Sequence, residues 1–181
     1  MQKIFVLPLV LFFSFTSASA DQFPKCFDGR TELQPMNEKV IQFKRTLPNL
    51  QKVQVMVKAM FVKELSPTVN QYGTHQHFII SLRDDANDAE SLIEVSHSMN
   101  GYSFPEASDM RAGPVYICGE YSTTDKNGFP KITKFTPSET GAMIHWTHQA
   151  GRSINYQIPS HGHSNGWIFA NNRVFGIGGG H

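Results

Sequence analysis

Alternating apolar and polar positions mark a series of short strands along this chain. In Val53-Gln54-Val55-Met56-Val57-Lys58-Ala59-Met60-Phe61 the odd positions are β-branched, small or aromatic, and the even ones are Gln, Met and Lys. A period of two with one apolar face predicts a half-buried strand, which Ser66-Pro67 then breaks. After Gly73 a second strand is expected from His75 to Leu82. Phe78, Ile80 and Leu82 share one of its faces, behind Gln76, while His75, His77 and Ile79 share the other. A third strand is expected from Leu92 to His97, with Ile93, Val95 and His97 on one side. Val115 to Tyr121 is the fourth, and Gly119 within it signals a bulge or a close backbone approach. Asn127-Gly128 predicts a type I′ hairpin with Lys131 to Phe135 as its return arm. Ala142 to Thr147 is the last principal strand, and Asn171-Asn172 marks a short hairpin in the Gly/Asn-rich tail.

Helical signals are sparse. Asn37 to Leu47 carries Val40, Ile41 and Phe43 among charged residues, with Asn37 placed to cap its start and Pro48 to end it. One helical turn is expected near Glu106 to Met110, inside a loop rich in Gly and Pro. Closely spaced strands with so little helix predict a mainly β fold. Five principal strands, broken between the third and fourth, suit a small OB-like antiparallel Greek-key barrel with a short N-terminal helix.

The first twenty residues change the picture of compartment. Lys3, the apolar run Ile4 to Phe15 and Ala18-Ser19-Ala20 read as an export signal with a small-residue cleavage site. The expected organisation is therefore a signal peptide at 1–20, an N-terminal segment with a short helix at 21–48, an OB-like barrel at 49–177 and a flexible tail at 178–181. No later run is apolar for long enough to span a bilayer, so the expectation is an exported chain, periplasmic or secreted, with no membrane anchor after cleavage. In an oxidising compartment Cys26 and Cys118 read as a disulfide, with two free thiols as the lesser reading.

Charge excludes one class of partner. Without Lys3 the chain has as many Lys and Arg as Asp and Glu, so it lacks the basic excess of a general nucleic-acid backbone binder. Residues 65–110 contain Arg83 as their sole Lys or Arg, against seven carboxylates, and read as an acidic, solvated stretch.

The candidate chemistry lies in the histidines, all eight of which fall at or after residue 75. Strand geometry puts His75 and His77 on one face, whereas His145 and His148 diverge unless the chain turns between them. A divalent transition metal such as zinc, held by His75, His97, His145, His148 and His163 in some combination, is one reading. A metal-free site is another. There His145 or His148 would be a general base oriented by Glu120, and His75, Gln76, His97, Tyr121, Trp146, Thr147 and His163 would bind an unidentified small ligand. A third reading makes these histidines structural. Of the two tryptophans, Trp167 between Gly166 and Ile168 is the expected packing residue, and Trp146 the expected stacking platform.

These motifs occur in a distinctive order: His75-Gln76-x-Phe78, Gly119-Glu120-Tyr121, Ile144-His145-Trp146-Thr147-His148 and Gly166-Trp167-Ile168. From about Val53 to Phe175 the chain resembles a family of small exported bacterial proteins catalogued as domain of unknown function number 3465. That resemblance implies an OB-type barrel and marks the same polar positions, without implying a reaction. The chain departs from the family pattern in having Gln149-Ala150, not a carboxylate, after His148. The functional expectation is a cell-envelope hydrolase of anionic substrates, phosphodiesters or nucleotides. The alternative is a non-catalytic binding module for a small ligand, oligosaccharide, nucleotide or metal ion.

Overall fold

The computed structural model describes residues 23–47, 50, 52–71, 73–123, 140–149 and 165–178. Outside them lie the expected export signal, the Asn127-Gly128 hairpin with its return arm, His161, His163 and the last three residues of the tail. Strands dominate the described residues. A hairpin of β1 (Cys26–Asp28) and β2 (Thr31–Leu33) precedes α1 (Asn37–Thr46). Then come β3 (Val53–Asn70), β4 (Gly73–Ser81), β5 (Leu92–Ser98), α2 (Ala107–Arg111), β6 (Val115–Thr123), β7 (Ala142–His145), β8 (Trp167–Ala170) and β9 (Arg173–Phe175).

Seven of the strands form one sheet in the order β3-β4-β5-β7-β6-β8-β9, and β6 pairs again with β3, so five of them bond in a ring. Their contacts are antiparallel except that of β5 with β7, where Glu94 pairs Met143 and Val95 pairs Ile144 in parallel. One edge of β6 is shared: Glu120 to Thr123 pairs β7, and Tyr116 to Cys118 pairs β8.

The ring closes because β3 bends. No break occurs at Ser66-Pro67. The strand instead runs on to Asn70, with register shifts between Phe61 and Lys63 and between Leu65 and Thr68. Pro67 falls inside the second shift, where the ladder does not need the N–H it lacks. Such bulges sharpen twist, so β3 can pair with β6 along its first half and with β4 along its second.

Inward-facing Val55, Val57, Phe78, Ile80, Val95, Ile117 and Ile144 form the core, joined by Val40 and Ile41 from α1 and Met110 from α2. Asn37 does not cap α1 with its side chain, as its position had suggested. Its amide donates to the Lys58 carbonyl at 2.6 Å and the Leu82 carbonyl at 2.7 Å, and accepts from the Lys58 N–H. It thereby fastens the start of the helix to β3 and to the end of β4.

A second, smaller core lies outside the ring. The Cys26–Cys118 disulfide draws the β1–β2 hairpin onto the outer face of β6, where both cysteines pack with Met56, Trp167 and Phe169. Phe23 stacks on Tyr116 there, with ring centroids 4.6 Å apart. Trp167 is the packing tryptophan, as expected. Asn171 and Asn172, both at positive φ, make the tight turn between β8 and β9. No helix of the described residues is long and apolar enough to cross a membrane.

Candidate functional site

β7 ends two residues into the Ile144-His145-Trp146-Thr147-His148 motif. The expected strand through Thr147 stops at His145 because Trp146 takes a left-handed backbone, φ +54°. A bulky residue in that region costs about 1 to 2 kcal/mol, so surrounding packing must hold it there. Three glycines supply that packing. A Cβ on Gly166 would lie 2.0 Å from the Trp146 carbonyl oxygen, one on Gly176 2.3 Å from that of Thr147, and one on Gly119 2.7 Å from that of His145. Gly119 is thus the close backbone approach its place in a strand had signalled. Two backbone hydrogen bonds complete the clamp: Gly166 N–H donates to His148 O, and Gln149 N–H to Gly176 O.

This turn sends neighbouring side chains different ways. Thr147 reaches into the end of the barrel, where its Oγ1 lies 2.8 Å from His97 Nδ1. His97 Nε2 is 3.0 Å from the Ser103 carbonyl, which can only accept, so Nε2 carries the proton and Nδ1 accepts from the Thr147 hydroxyl. Burial drives the His97 pKa down to about 4, so the ring is neutral at ordinary pH. Gln76, across the ladder from His97, donates to the Pro105 carbonyl and to Glu64. Tyr121 also faces inward. Burial pushes its phenol up to about 12, and its hydroxyl sits 3.2 Å from that of Thr123. Gln76, His97, Tyr121 and Thr147 therefore belong to the barrel's interior.

The outward set differs. Glu120 and His145 are direct partners in the β6–β7 ladder, both buried, as a carboxylate–imidazole pair requires. Continuing the β5–β7 register places His145 level with Ser96, which in turn pairs His77 on β4. A polar row thus crosses the outside of the ring from Glu120 through His145 and Ser96 to His77. Beside it, Trp146 is half-buried, with its ring 5.6 Å from those of both His145 and His148. Tyr102 continues the shelf, its ring 4.3 Å from that of His148.

The far end of the row holds residues that the sequence did not single out as a site. Glu94 Oε1 accepts from His77 Nδ1 at 2.8 Å, and His77 Nε2 lies 2.8 Å from Thr68 Oγ1. His75 stands opposite Thr68 in the β3–β4 ladder. Burial, and then the charge of His77, holds His75 below the ordinary histidine range. His77 was visible as the i+2 neighbour of His75. Thr68 and Glu94 carried no signal, since both look like ordinary strand residues.

Among the described residues, no three His, Cys, Asp or Glu side chains gather where a metal ion could be held. The proposed metal set is split between the barrel's interior (His97) and its outer face (His75, His145), with His163 outside the described residues. No family model matches this chain, and neither does any curated protein or any solved structure.

Proposed function

We propose that this protein is an exported OB-type binding module that takes a neutral, ring-bearing ligand, an oligosaccharide, on the outer face of β4, β5 and β7. The strand order supports the OB reading. Numbered within the ring, the strands run 1-2-3-5-4-1 with the third and fifth parallel and a short helix between the third and fourth. In such barrels the face of the second and third strands receives oligosaccharides and oligonucleotides. The motif resemblance to the exported family supports the same fold, and the Cys26–Cys118 disulfide supports export.

The observation that carries the ligand class is the shelf of Trp146, His148 and Tyr102. A half-buried indole held in a left-handed turn and flanked by flat rings offers a stacking surface for a sugar or other ring. Charge favours a neutral ligand. Residues 65–110 supply β4 and β5, and Arg83, their one cation, is engaged by Glu38 and Asp88. Titration with soluble envelope glycans, followed by tryptophan fluorescence, tests the reading. Trp146→Ala should abolish the response, and a wild type that responds to no glycan counts against it.

The pairing of Glu120 with His145 favours a second reading, hydrolysis with His145 as general base and Glu120 as its orienter. A phosphodiesterase screen in which Glu120→Gln loses the wild-type rate would support it.

A further inference from the structure

We propose that Thr68, His77 and Glu94 form a nucleophilic triad on the outer face of the barrel, with Thr68 Oγ1 attacking the carbonyl carbon of an uncharged acyl ester. The proposal goes beyond the binding reading and does not depend on a ligand resting against Trp146.

The two hydrogen bonds define the roles. Glu94 Oε1 accepts from His77 Nδ1 at 2.8 Å, which fixes the tautomer and leaves Nε2 as an acceptor. Nε2 then faces the Thr68 hydroxyl at 2.8 Å and can take its proton. Carboxylate orienting imidazole, imidazole facing hydroxyl, is the arrangement by which an alcohol becomes a nucleophile near neutral pH. His77 and Glu94 are nearly closed to solvent, their side chains 7% and 6% exposed, while Thr68 keeps partial access. The bulge between Leu65 and Thr68, with Pro67 inside it, sets the direction of the hydroxyl, a use to which bulges beside active sites are often put.

Two neighbours point to the substrate. His75, directly across from Thr68, has a buried Nδ1 with no hydrogen-bond partner among the described residues. Turned toward Thr68 and away from the Gly73 backbone, that nitrogen, protonated in a neutral ring, would offer a donor to the oxygen on which charge develops. Leu65, opposite His77, gives the face an apolar patch suited to an acyl chain. Neither β4 nor β5 carries a Lys or Arg, and Lys63 on β3 stands at the edge of the face, level with Ile79, which argues for an uncharged ester over a phosphodiester. In the reaction the Thr68 oxygen bonds to the acyl carbon and its proton passes to His77 Nε2. The ester's alcohol leaves with that proton. Water then attacks the acyl carbon as His77 Nε2 takes its proton, the acyl–Thr68 bond breaks, and that proton passes from His77 to Thr68 Oγ1 as the acid is released.

An alkyl fluorophosphonate reports an activated hydroxyl whatever the natural acyl group: Thr68 Oγ1 bonds to phosphorus, and fluoride leaves. The full chain should be labelled at Thr68, as read by peptide mass spectrometry. Thr68→Val, which preserves shape, should lose the label while still unfolding in one cooperative transition, at a lower midpoint because His77 Nε2 loses its partner, and Thr68→Ser should keep the label. His77→Gln should slow labelling at least about a hundredfold. Glu94, as a positioning residue, should show slowed labelling as Glu94→Gln and partial recovery as Glu94→Asp. Wild-type protein that takes no label at Thr68, or labelling unchanged in Thr68→Val, overturns the proposal. Loss of glycan binding in Trp146→Ala with labelling intact would leave it standing, so the two readings fail separately.

Discussion

Thr147 Oγ1 lies 2.8 Å from His97 Nδ1, and that bond joins the turn after β7 to the end of β5. Because the Ser103 carbonyl claims the proton on Nε2, Thr147 is the donor that satisfies the other nitrogen of a fully buried ring. Thr147→Val keeps the shape and removes that donor, leaving Nδ1 unpaired. The expected loss is about 1 to 3 kcal/mol, read from the urea midpoint, with Thr147→Ser close to wild type.

The same ring makes stability depend on pH. His97 titrates near 4 when folded, against an ordinary value of 6.5, because burial disfavours its charged form. The unfolded chain therefore binds the extra proton across that interval, and stability falls as pH drops. The contribution is complete above about 6.5, erodes below it and is exhausted near 4, amounting to about 3 kcal/mol. His75, also lowered by burial, adds in the same direction. Denaturation between pH 7.5 and 4 should show this slope, and His97→Gln should flatten it.

The ring of strands was readable because its period-two patterning is regular: Phe78 and Ile80 on one side of β4, and His75 and His77 on the other. The site is less legible. Strand alternation already sets Gln76 and His97 on the apolar faces, whereas the pairing that brings Glu120 level with His145 on the outer face depends on tertiary geometry. The turn at Trp146 could not be read from its residue type, since a tryptophan at positive φ contradicts local preference. Its causes, Gly166 and Gly176, lie far along the chain. Pro67 misled in the opposite sense: a proline ends a regular strand but fits a bulge, and the register shift that accommodates it is a property of the pairing with β4.

Gly166 offers a test of that clamp. Its missing side chain is space already filled by the Trp146 carbonyl, with the Cys118 carbonyl and Thr147 Cα also within 2.8 Å of the absent Cβ. These are backbone atoms and cannot swing aside. Gly166→Ala should cost about 3 kcal/mol or more, the upper range for overpacking. It should also displace Trp146 from its turn, visible as a changed tryptophan emission spectrum before any unfolding.

The disulfide predicts a different pattern. Cys26 and Cys118 are 92 residues apart, so the link should stabilise by about 4 to 5 kcal/mol through the unfolded chain. Reduction frees the β1–β2 hairpin and the small core around Phe23 and Trp167, while the ring keeps its own hydrophobic core. Hydrogen exchange in reduced protein should accelerate first at β1, β2 and β8, with β4 and β5 protected for longer.

Trp146 separates stability from binding. Asn tolerates the left-handed region that an indole occupies only under strain, so Trp146→Asn relieves about 1 to 2 kcal/mol of backbone cost. The half-buried ring gives up some packing against His145 and His148, which offsets that relief. Stability should therefore stay within about 1 kcal/mol of wild type, because the two effects oppose each other at similar size. Ligand binding should be lost, since the stacking surface is gone. Unfolding curves and glycan titrations on one protein preparation check both halves. If Trp146→Asn unfolds far more readily than wild type, the indole is a structural anchor rather than a ligand platform.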